Sequence, residues 1–211
     1  MKAWIISNGS ITDYNFYTNL FSPSDLIICA DGGAMHAEKM GIIPHILIGD
    51  MDSIEQCNLN AMQSKHTKRL QYPAGKDQTD TQLAVEYAIG KGCKEIVLIG
   101  SLGSRFDHSF ANISLLKLIL DHGINGMILN EHNEIYLINH RIRIKGKAGD
   151  ILSLLPVSEC VDGITTTGLQ YALQDAQMTF GLPYGISNVL TRTEAEISIK
   201  QGLLLVIKAR D

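Results

Sequence analysis

The sequence has little of what marks several large classes of protein. Only 19% of its 211 residues are charged, and its 18 basic residues form no run, which argues against a nucleic-acid-binding protein. No apolar run approaches the ~20 residues of a membrane span, and the apolar start at 3–6 is too short for a signal peptide. The cysteines Cys29, Cys57, Cys93 and Cys160 contain no C-x-x-C pair, which predicts reduced, mostly buried thiols. We therefore expect a soluble cytoplasmic protein with no membrane or nucleic-acid partner.

Several widespread catalytic motifs are missing as well. The sequence has no G-x-S-x-G, no H-E-x-x-H, no P-loop and no G-x-G-x-x-G. Its apolar content of 45% is enough to bury a core and excludes disorder. Its formal net charge is −4. A mildly acidic protein that binds a polyanion must therefore supply local positive charge or recruit a cation.

Up to residue 130, short apolar runs alternate with segments of helical period. The runs that predict buried strands are 3–6, 26–30, 46–48 and 96–99. The predicted helices are 33–40, 53–63, 79–89 and 107–120. The third opens on a capping-box pattern, Thr79-x-x-Gln82, and the fourth is apolar on most sides, so we expect it to be well buried. This alternation predicts a Rossmann-like α/β domain over 1–130, in which helices flank a parallel sheet.

Beyond residue 130 the pattern changes to short strands separated by Gly, Asn or Pro. Eight strand candidates lie at 135–138, 141–144, 151–155, 163–167, 177–180, 189–191, 195–199 and 203–207. The stretch 141–145 alternates strictly between basic and apolar residues, as a half-exposed strand does. We therefore expect an antiparallel β-sandwich over 131–211.

Aspartates follow the predicted strands of the first domain. They are Asp31, Asp50, Asp52, Asp77, Asp80 and Asp107. Each alone is explained by the preference of aspartate for turns and helix starts. Because the carboxyl ends of parallel strands share one edge, however, we expect them to converge on a single crevice. Like charges held together need a cation, and Mg²⁺ with Asp50, Asp52 and Asp80 as ligands is the natural one.

A glycine loop after the fourth strand supplies features that suit a phosphate. Gly100-x-x-Gly103 precedes a helix, and Arg105 adds a forked donor for phosphate oxygens. Lys76 is either a solvated lysine or a phosphate contact, and Gly32-Gly33 is a possible tight turn. His108 and Asn112 are expected on the one polar stripe of their helix. Together these residues predict a Mg²⁺-dependent enzyme that acts on a phosphate-bearing, nucleotide-like substrate.

The same residues, in this order and spacing, resemble the motifs of the thiamine pyrophosphokinase family. The matching pieces are Asp31-Gly32-Gly33-Ala34, Gly49-Asp50-x-Asp52-Ser53, Asp77-x-Thr79-Asp80, Gly103-x-Arg105-x-Asp107-His108-x-x-x-Asn112, and Thr179-Phe180-Gly181 followed by Ser187-Asn188. The resemblance implies transfer of the pyrophosphoryl group of ATP to the hydroxyl of thiamine, which gives thiamine diphosphate and AMP. It implies an ATP- and Mg²⁺-binding catalytic domain, 1–130, and a thiamine-binding and dimerisation domain, 131–211.

The resemblance also implies a role for each residue. The metal ligands would be Asp50, Asp52 and Asp80, and the residues that contact thiamine would be Ser187 and Asn188. The nucleotide would be bound by Asp31, Gly32, Gly33, Lys76, Gly103, Arg105, Asp107 and His108. Asp77 or Asp80 is the candidate general base, unless Mg²⁺ makes a base unnecessary. The family also implies a homodimer with the active site at the subunit interface.

One departure from the family bears on the acceptor. Animal and fungal members carry a thiamine-stacking Trp near the C-terminus, where this chain has an aliphatic run at 203–207, and its one Trp is Trp4. Stacking on thiamine would then come from Tyr171, Phe180 or Tyr184, or aliphatic contact would replace it. The alternative for these three rings is that they belong to the core of the sandwich. The alternatives are a pyrophosphokinase for another alcohol, such as a pterin, and a nucleotide-binding or sensing protein without turnover.

Overall fold

A computed structural model describes residues 1–50, 67–73 and 75–210 of the chain. The predicted helix at 53–63, together with Asp52 and Cys57, lies outside the described residues. The chain divides into two compact units, residues 1–131 and 132–211, and each is described by itself.

The first unit contains a parallel sheet flanked by helices, as the alternating pattern predicts. Its described strands are β1 (Lys2–Ile6), β2 (Leu26–Ala30), β3 (Ile46–Gly49), β4 (Lys68–Gln71), β5 (Glu95–Ile99) and β6 (Asn125–Leu129). Its described helices are α1 (Gly33–Lys39), α2 (Asp80–Gly90) and α3 (Phe106–Asp121), with a 3₁₀ turn at Tyr14–Tyr17. The strand order is β6-β5-β1-β2-β3-β4, and every pair is parallel.

Consecutive apolar residues form the central strands because both faces of the sheet are covered. The sequence pattern missed β4, which is mostly exposed, and β6, which opens on the turn-like pair Asn125-Gly126. The core of this unit includes Trp4, whose indole N–H donates to Asp25 Oδ2 at 2.9 Å. The one tryptophan of the chain is therefore a core residue.

The expectation that the last helix of this unit is well buried is wrong. In α3 only Ser109, Leu116 and Ile119 are buried, whereas Phe106 is 77% and Phe110 is 58% exposed. The two phenyl rings stack on each other with their centroids 6.0 Å apart. A helix on the face of a sheet buries one side only, so an apolar composition does not itself predict burial.

The second unit contains two antiparallel sheets, as predicted. The strands are β7 (Asn133–Ile138), β8 (Arg141–Lys145), β9 (Ile151–Pro156), β10 (Cys160–Thr167), β11 (Ala176–Thr179), β12 (Asn188–Val189), β13 (Glu194–Ser198) and β14 (Leu204–Ala209). One sheet has the order β12-β9-β14-β7 and the other β11-β10-β13-β8. Leu154 and Val206 of the first sheet share a buried cluster with Ile164 and Ile197 of the second. This shared cluster is the core of a β-sandwich.

Two further predictions concern thiols and membranes. Cys29 and Cys93 are buried and Cys160 is half-buried, and none of the three forms a disulfide within the described residues. Across the same part of the chain, no helix combines the length and the apolar character that crossing a bilayer requires.

Candidate active site

A cleft of about 530 Å³ lies at the carboxyl edge of the parallel sheet in the first unit. Its lining comes from the segments that follow β1, β2 and β5 and from the first turns of α2 and α3: Ser7, Asn8, Gly9, Ser10, Ala30, Asp31, Thr79, Asp80, Thr81, Gly100, Ser101, Leu102, Gly103, Ser104, Arg105, His108, Ser109 and Asn112. This is the edge at which open α/β sheets bind their ligands.

Two loops that follow neighbouring strands, 7–10 after β1 and 100–103 after β5, form one wall of the cleft. Ser7 N–H donates to Ile99 O at 2.9 Å, and Ser10 N–H donates to Leu102 O at 2.7 Å. A Cβ on Gly9 would lie 2.4 Å from Leu102 O, so only glycine allows this approach. Sequence analysis missed the loop 7–10, although polar residues directly after a buried strand were the available signal.

Asp31 directly follows β2 and lines the cleft in a rare backbone conformation. Its φ of 49° lies in the left-handed region, which aspartate tolerates better than most residues. Its amide is fixed by donating to Ile48 O at 2.8 Å. Its Oδ1 is buried and has no hydrogen-bond partner among the described residues, as is also true of Ser101 Oγ in the same cleft. A ligand in the cleft can contact both of these oxygen atoms.

Asp80 is the first residue of α2, where a negative charge interacts favourably with the helix dipole. Thr79 caps this helix by accepting from Gln82 N–H at 3.1 Å, but the Gln82 side chain donates to Glu86, so only half of the predicted capping box forms. Lys76 Nζ lies 2.8 Å from Asp80 Oδ1. This contact is an ion pair rather than an aligned hydrogen bond, because Asp80 Oδ1 receives no hydrogen bond from a described residue.

Helix α3 anchors the glycine loop with its polar side chains. Asn112 Nδ2 donates to Ser101 O at 2.7 Å, and Ser109 Oγ accepts from Gly103 N–H at 3.0 Å. His108 is exposed and lines the cleft on the same face of the helix. Behind them, the hydroxyls of Ser7 and Thr81 form a buried hydrogen bond of 3.0 Å.

Of the residues assigned to the metal and the nucleotide, the structure brings five to the cleft, namely Asp31, Asp80, Gly103, Arg105 and His108. Six other described residues do not line it, namely Gly32, Gly33, Asp50, Lys76, Asp77 and Asp107. Asp107 instead pairs with Arg105 at 2.6 Å, and this hydrogen-bonded guanidinium holds the pKa of its carboxyl below the ordinary value.

Gly32 and Gly33 serve the packing of α1 rather than lining the cleft. A Cβ on Gly33 would lie 2.0 Å from Ile6 O, and one on Gly32 would lie 2.4 Å from Asn8 Nδ2. These glycines let α1 approach the end of β1. They thereby bring Asp31 and the loop after β1 close together.

The donor set suits a hard cation, because the Asp31 and Asp80 carboxylates share this one cleft and Asp31 Oδ1 has no hydrogen-bond donor among the described residues. Asp80 Oδ1 already has the charge of Lys76 beside it at 2.8 Å. Asp50 follows Gly49, whose added Cβ would lie 3.3 Å from Asp31 Cα, so the chain segments of Asp50 and Asp31 are adjacent. Within residues 1–50, 67–73 and 75–210, no three His, Cys, Asp or Glu side chains are grouped to hold a metal ion. The predicted triad includes Asp52, which lies outside those residues.

Comparison with known proteins finds a match for each of the two units. Residues 17–128 match the family model "Thiamin pyrophosphokinase, catalytic domain", and residues 139–204 match "Thiamin pyrophosphokinase, vitamin B1 binding domain". The thiamine pyrophosphokinase of Bacillus subtilis is 31% identical over 204 residues, which cover 95% of this chain and 94% of that protein. The chain belongs to the thiamine pyrophosphokinase family. The family and the fold predicted from the sequence motifs are thus confirmed.

Solved structures of thiamine pyrophosphokinases have the same fold over the whole chain. The Bacillus subtilis enzyme superposes with a TM-score of 0.91 at 28% identity, over 100% of both chains. The enzyme from Geobacillus thermodenitrificans superposes with a TM-score of 0.87 at 27% identity, over 100% of this chain and 98% of that one.

The vitamin B1-binding region of this thiamine pyrophosphokinase family member contains Ser187 and Asn188, which have different surroundings. Asn188 is 8% exposed; its amide group accepts from Tyr171 N–H at 3.0 Å and donates to Tyr171 O at 2.7 Å. Ser187 is exposed in the left-handed region with φ 58°, and its amide donates to Ser153 Oγ at 3.0 Å. Asn188 thus fixes the backbone of Tyr171, whereas the side chain of Ser187 is exposed to solvent.

The three rings considered for stacking are not core residues. Tyr171 is 65%, Phe180 is 66% and Tyr184 is 57% exposed. The alternative that these rings belong to the core of the sandwich is therefore wrong. Which of them contacts the acceptor stays a prediction.

Glu131 fixes the segment that follows the loop 7–10, and we expect its contribution to stability to depend on pH. Its carboxylate accepts from Thr12 N–H at 2.7 Å, Asp13 N–H at 2.9 Å and Tyr17 O–H at 3.2 Å. Burial alone would raise the pKa of Glu131, but these hydrogen bonds lower it overall. The pKa of Tyr17 is raised, by burial and by the nearby charge of Glu131. The stabilisation is therefore present above the ordinary glutamate value of 4.5 and is lost as pH falls through the lowered pKa.

Glu131→Gln should lower the free energy of unfolding at pH 7 by about 1–2 kcal/mol, because charge-assisted hydrogen bonds become neutral ones. Denaturant titrations at pH 7 and at pH 3 measure the effect, and the difference from wild type should shrink at the lower pH. Glu95→Gln is the control, since Glu95 forms only a partly exposed ion pair with Lys2 and its loss should change the unfolding free energy by less than about 0.5 kcal/mol. An equal cost for Glu131→Gln at both pH values would contradict this assignment.

Proposed function

We propose that this chain transfers the pyrophosphoryl group of ATP to the hydroxyl of thiamine, with thiamine diphosphate and AMP as products. The observation that carries the proposal is the cleft in the catalytic-domain match, where Asp31 and Asp80 from separate segments lie with Arg105 beside a glycine loop. In this reaction the thiamine oxygen attacks the β-phosphorus, and the bond from that phosphorus to the oxygen shared with the α-phosphate breaks. Catalysis then depends on alignment and on neutralising phosphate charge.

The residues divide between three tasks. Arg105 and the amides of residues 100–102 bind phosphate oxygens, with His108 on the same wall of the cleft, while Ser109 holds the Gly103 N–H. Asp50, Asp52 and Asp80 are assigned as Mg²⁺ ligands. Asp31, whose Oδ1 has no hydrogen-bond partner among the described residues, lines the same cleft as Asp80. Bound Mg²⁺ supplies charge neutralisation to the phosphate oxygens. Of the two acids considered as a general base, Asp80 lines the cleft whereas Asp77 does not.

The activity is tested by incubating the purified protein with ATP, Mg²⁺ and thiamine, and by quantifying both products. We expect AMP and thiamine diphosphate in equal amounts, and no turnover after Mg²⁺ is chelated. ADP as the nucleotide product would indicate a simple kinase. A panel of alcohols that includes a pterin separates the acceptor alternatives, and ATP binding without any product would indicate a sensing protein.

We also propose that the active form is a homodimer, in which the first unit of one chain and the second unit of its partner form each site. The support is large exposed apolar side chains on both units, at Phe106 and Phe110 and at Tyr171, Phe180, Leu182, Tyr184 and Ile186. Clustered exposed apolar surface marks an interaction site. The predicted cytoplasmic location stays a prediction from the sequence.

Mixing two inactive variants tests the shared site. Asp80→Asn disables the first unit, and Ser187→Trp blocks the acceptor side of the second. If each site uses both chains, random mixing makes about half of the dimers mixed, each with one intact site, so about one quarter of wild-type activity should return. Light scattering checks the dimer mass. A monomer, or a mixture that remains inactive, would refute the shared site.

Ser187→Ala should raise KM for thiamine about three- to tenfold and leave KM for ATP within about twofold, because a lost hydrogen bond to the acceptor affects only that substrate. Steady-state kinetics with each substrate varied in turn gives both values. Ser24→Ala, at an exposed serine of the first unit, is the control and should change neither. A larger effect on ATP than on thiamine would place the acceptor elsewhere.

A further inference from the structure

His36 is a buried histidine in α1 that contacts two separate points of the segment after β1. It is 8% exposed, its Nε2 lies 2.8 Å from Gly9 O, and its Nδ1 lies 2.8 Å from Tyr14 Oη. A carbonyl oxygen can only accept, so Nε2 carries the proton and donates, and Nδ1 accepts from the Tyr14 hydroxyl. Burial lowers the pKa of His36, which favours this neutral form.

The atoms that His36 contacts belong to the wall of the cleft. Gly9 lines the cleft and packs against the loop 100–103. A Cβ on Gly100 would lie 3.5 Å from His36 Cδ2, so the imidazole lies behind both loops at their point of contact. The helix that carries His36 begins two residues after Asp31. One short helix therefore connects the Asp31 turn to the Gly9 loop through a single side chain.

We propose that His36, oriented by Tyr14, is a positioning residue for the nucleotide subsite. It fixes the Gly9 carbonyl and thereby keeps the loop 7–10 in place against the loop 100–103. Without the imidazole the Gly9 carbonyl loses its donor, and the loop can move away from the position that ATP requires. His36 does not line the cleft and does not touch the reacting atoms. The inference rests on the proposed ATP-dependent function, because it assigns the wall of the cleft to the nucleotide.

The experiment measures the binding of α,β-methylene-ATP by calorimetry in the presence of Mg²⁺. In this analogue a methylene group replaces the oxygen between the α- and β-phosphorus, so the bond that the reaction breaks is absent. His36→Leu should raise Kd about tenfold, and Tyr14→Phe, which only removes the hydroxyl that orients the ring, about threefold. His36→Gln keeps an N–H for Gly9 O and should recover most of the affinity. His122→Gln is the matched control, since His122 is exposed and ends α3 away from the cleft.

A second readout separates positioning from general destabilisation. In steady state, KM for ATP should rise in His36→Leu while KM for thiamine stays within about twofold. Unchanged analogue affinity in a folded His36→Leu protein, or an equal rise of both KM values, overturns the proposal. Should that variant not fold, His36→Gln and Tyr14→Phe decide, and wild-type affinity in Tyr14→Phe counts against it. If the wild type binds the analogue but makes no thiamine diphosphate, the proposed function fails while the Kd series still tests His36.

Discussion

Asp80→Asn is expected to lower turnover by roughly 10²–10⁴-fold while the protein stays folded. Asp80 lines the cleft at the start of α2, and its Oδ1 forms an ion pair with Lys76 Nζ at 2.8 Å. Removing the charge takes one of the two described carboxylates from the cleft, which should weaken the proposed binding of Mg²⁺. The unfolding free energy should change by less than about 1 kcal/mol, since the lost helix-dipole and ion-pair contributions are small.

The chain offers a closely matched control for this substitution. Asp121 pairs with Lys117 at 2.6 Å with the same four-residue spacing as Lys76 and Asp80, but on the exposed surface of α3. Asp121→Asn should keep full activity. Turnover and the Mg²⁺ concentration for half-maximal rate are measured for both variants. A large loss of stability with little loss of turnover in Asp80→Asn would assign Asp80 to structure.

Gly33→Ala is expected to have the largest effect on stability, a loss of about 3 kcal/mol in the free energy of unfolding. The new methyl group would lie 2.0 Å from Ile6 O and 2.6 Å from Ile6 C, both backbone atoms of a buried strand that cannot move aside. Helix α1 must therefore shift away from β1. Because α1 also positions His36 and follows Asp31, ATP binding should weaken together with stability.

Gly90→Ala is the matched control for Gly33→Ala. Gly90 is the last residue of α2, and a Cβ there meets no atom within 4 Å. Alanine should be neutral or stabilise the protein by up to about 1 kcal/mol, because it restricts the unfolded chain and favours the helix. Denaturant unfolding of both variants gives the comparison. Equal stabilities for Gly33→Ala and wild type would show that α1 packs less tightly than described.

The order of strands and helices could be predicted in the first unit because its pattern is local. Residues 26–30 form a strand with the predicted bounds, and α3 differs from the predicted 107–120 by one residue at each end. The burial of α3 could not be predicted, because it depends on which side of the helix meets the sheet. The exposure of Phe106 and Phe110 follows from that packing and not from their own hydrophobicity.

The candidate site could likewise be predicted only in part. The rule that carboxyl ends of parallel strands share an edge predicted that the aspartates converge on one crevice. Asp31 and Asp80 do line the cleft, whereas Asp50, Asp77 and Asp107 do not. The same rule applied to β1 would have found the loop 7–10, so that omission was avoidable. The contacts of His36 with Gly9 and of Glu131 with Thr12 have no local signal, since 27 and 119 residues separate the partners.

By itself the sequence determined the family, the alternation of strands and helices, and the chemical type of the residues at the cleft, because periodicity and motif order are properties of neighbouring residues. Only the tertiary structure decided which of the described aspartates line the cleft, which glycines pack against the end of β1, and which histidine contacts the loop 7–10 from outside the cleft. Those outcomes depend on distances of a few ångströms between segments far apart in the chain. Close packing sets such distances, and a linear pattern does not contain them.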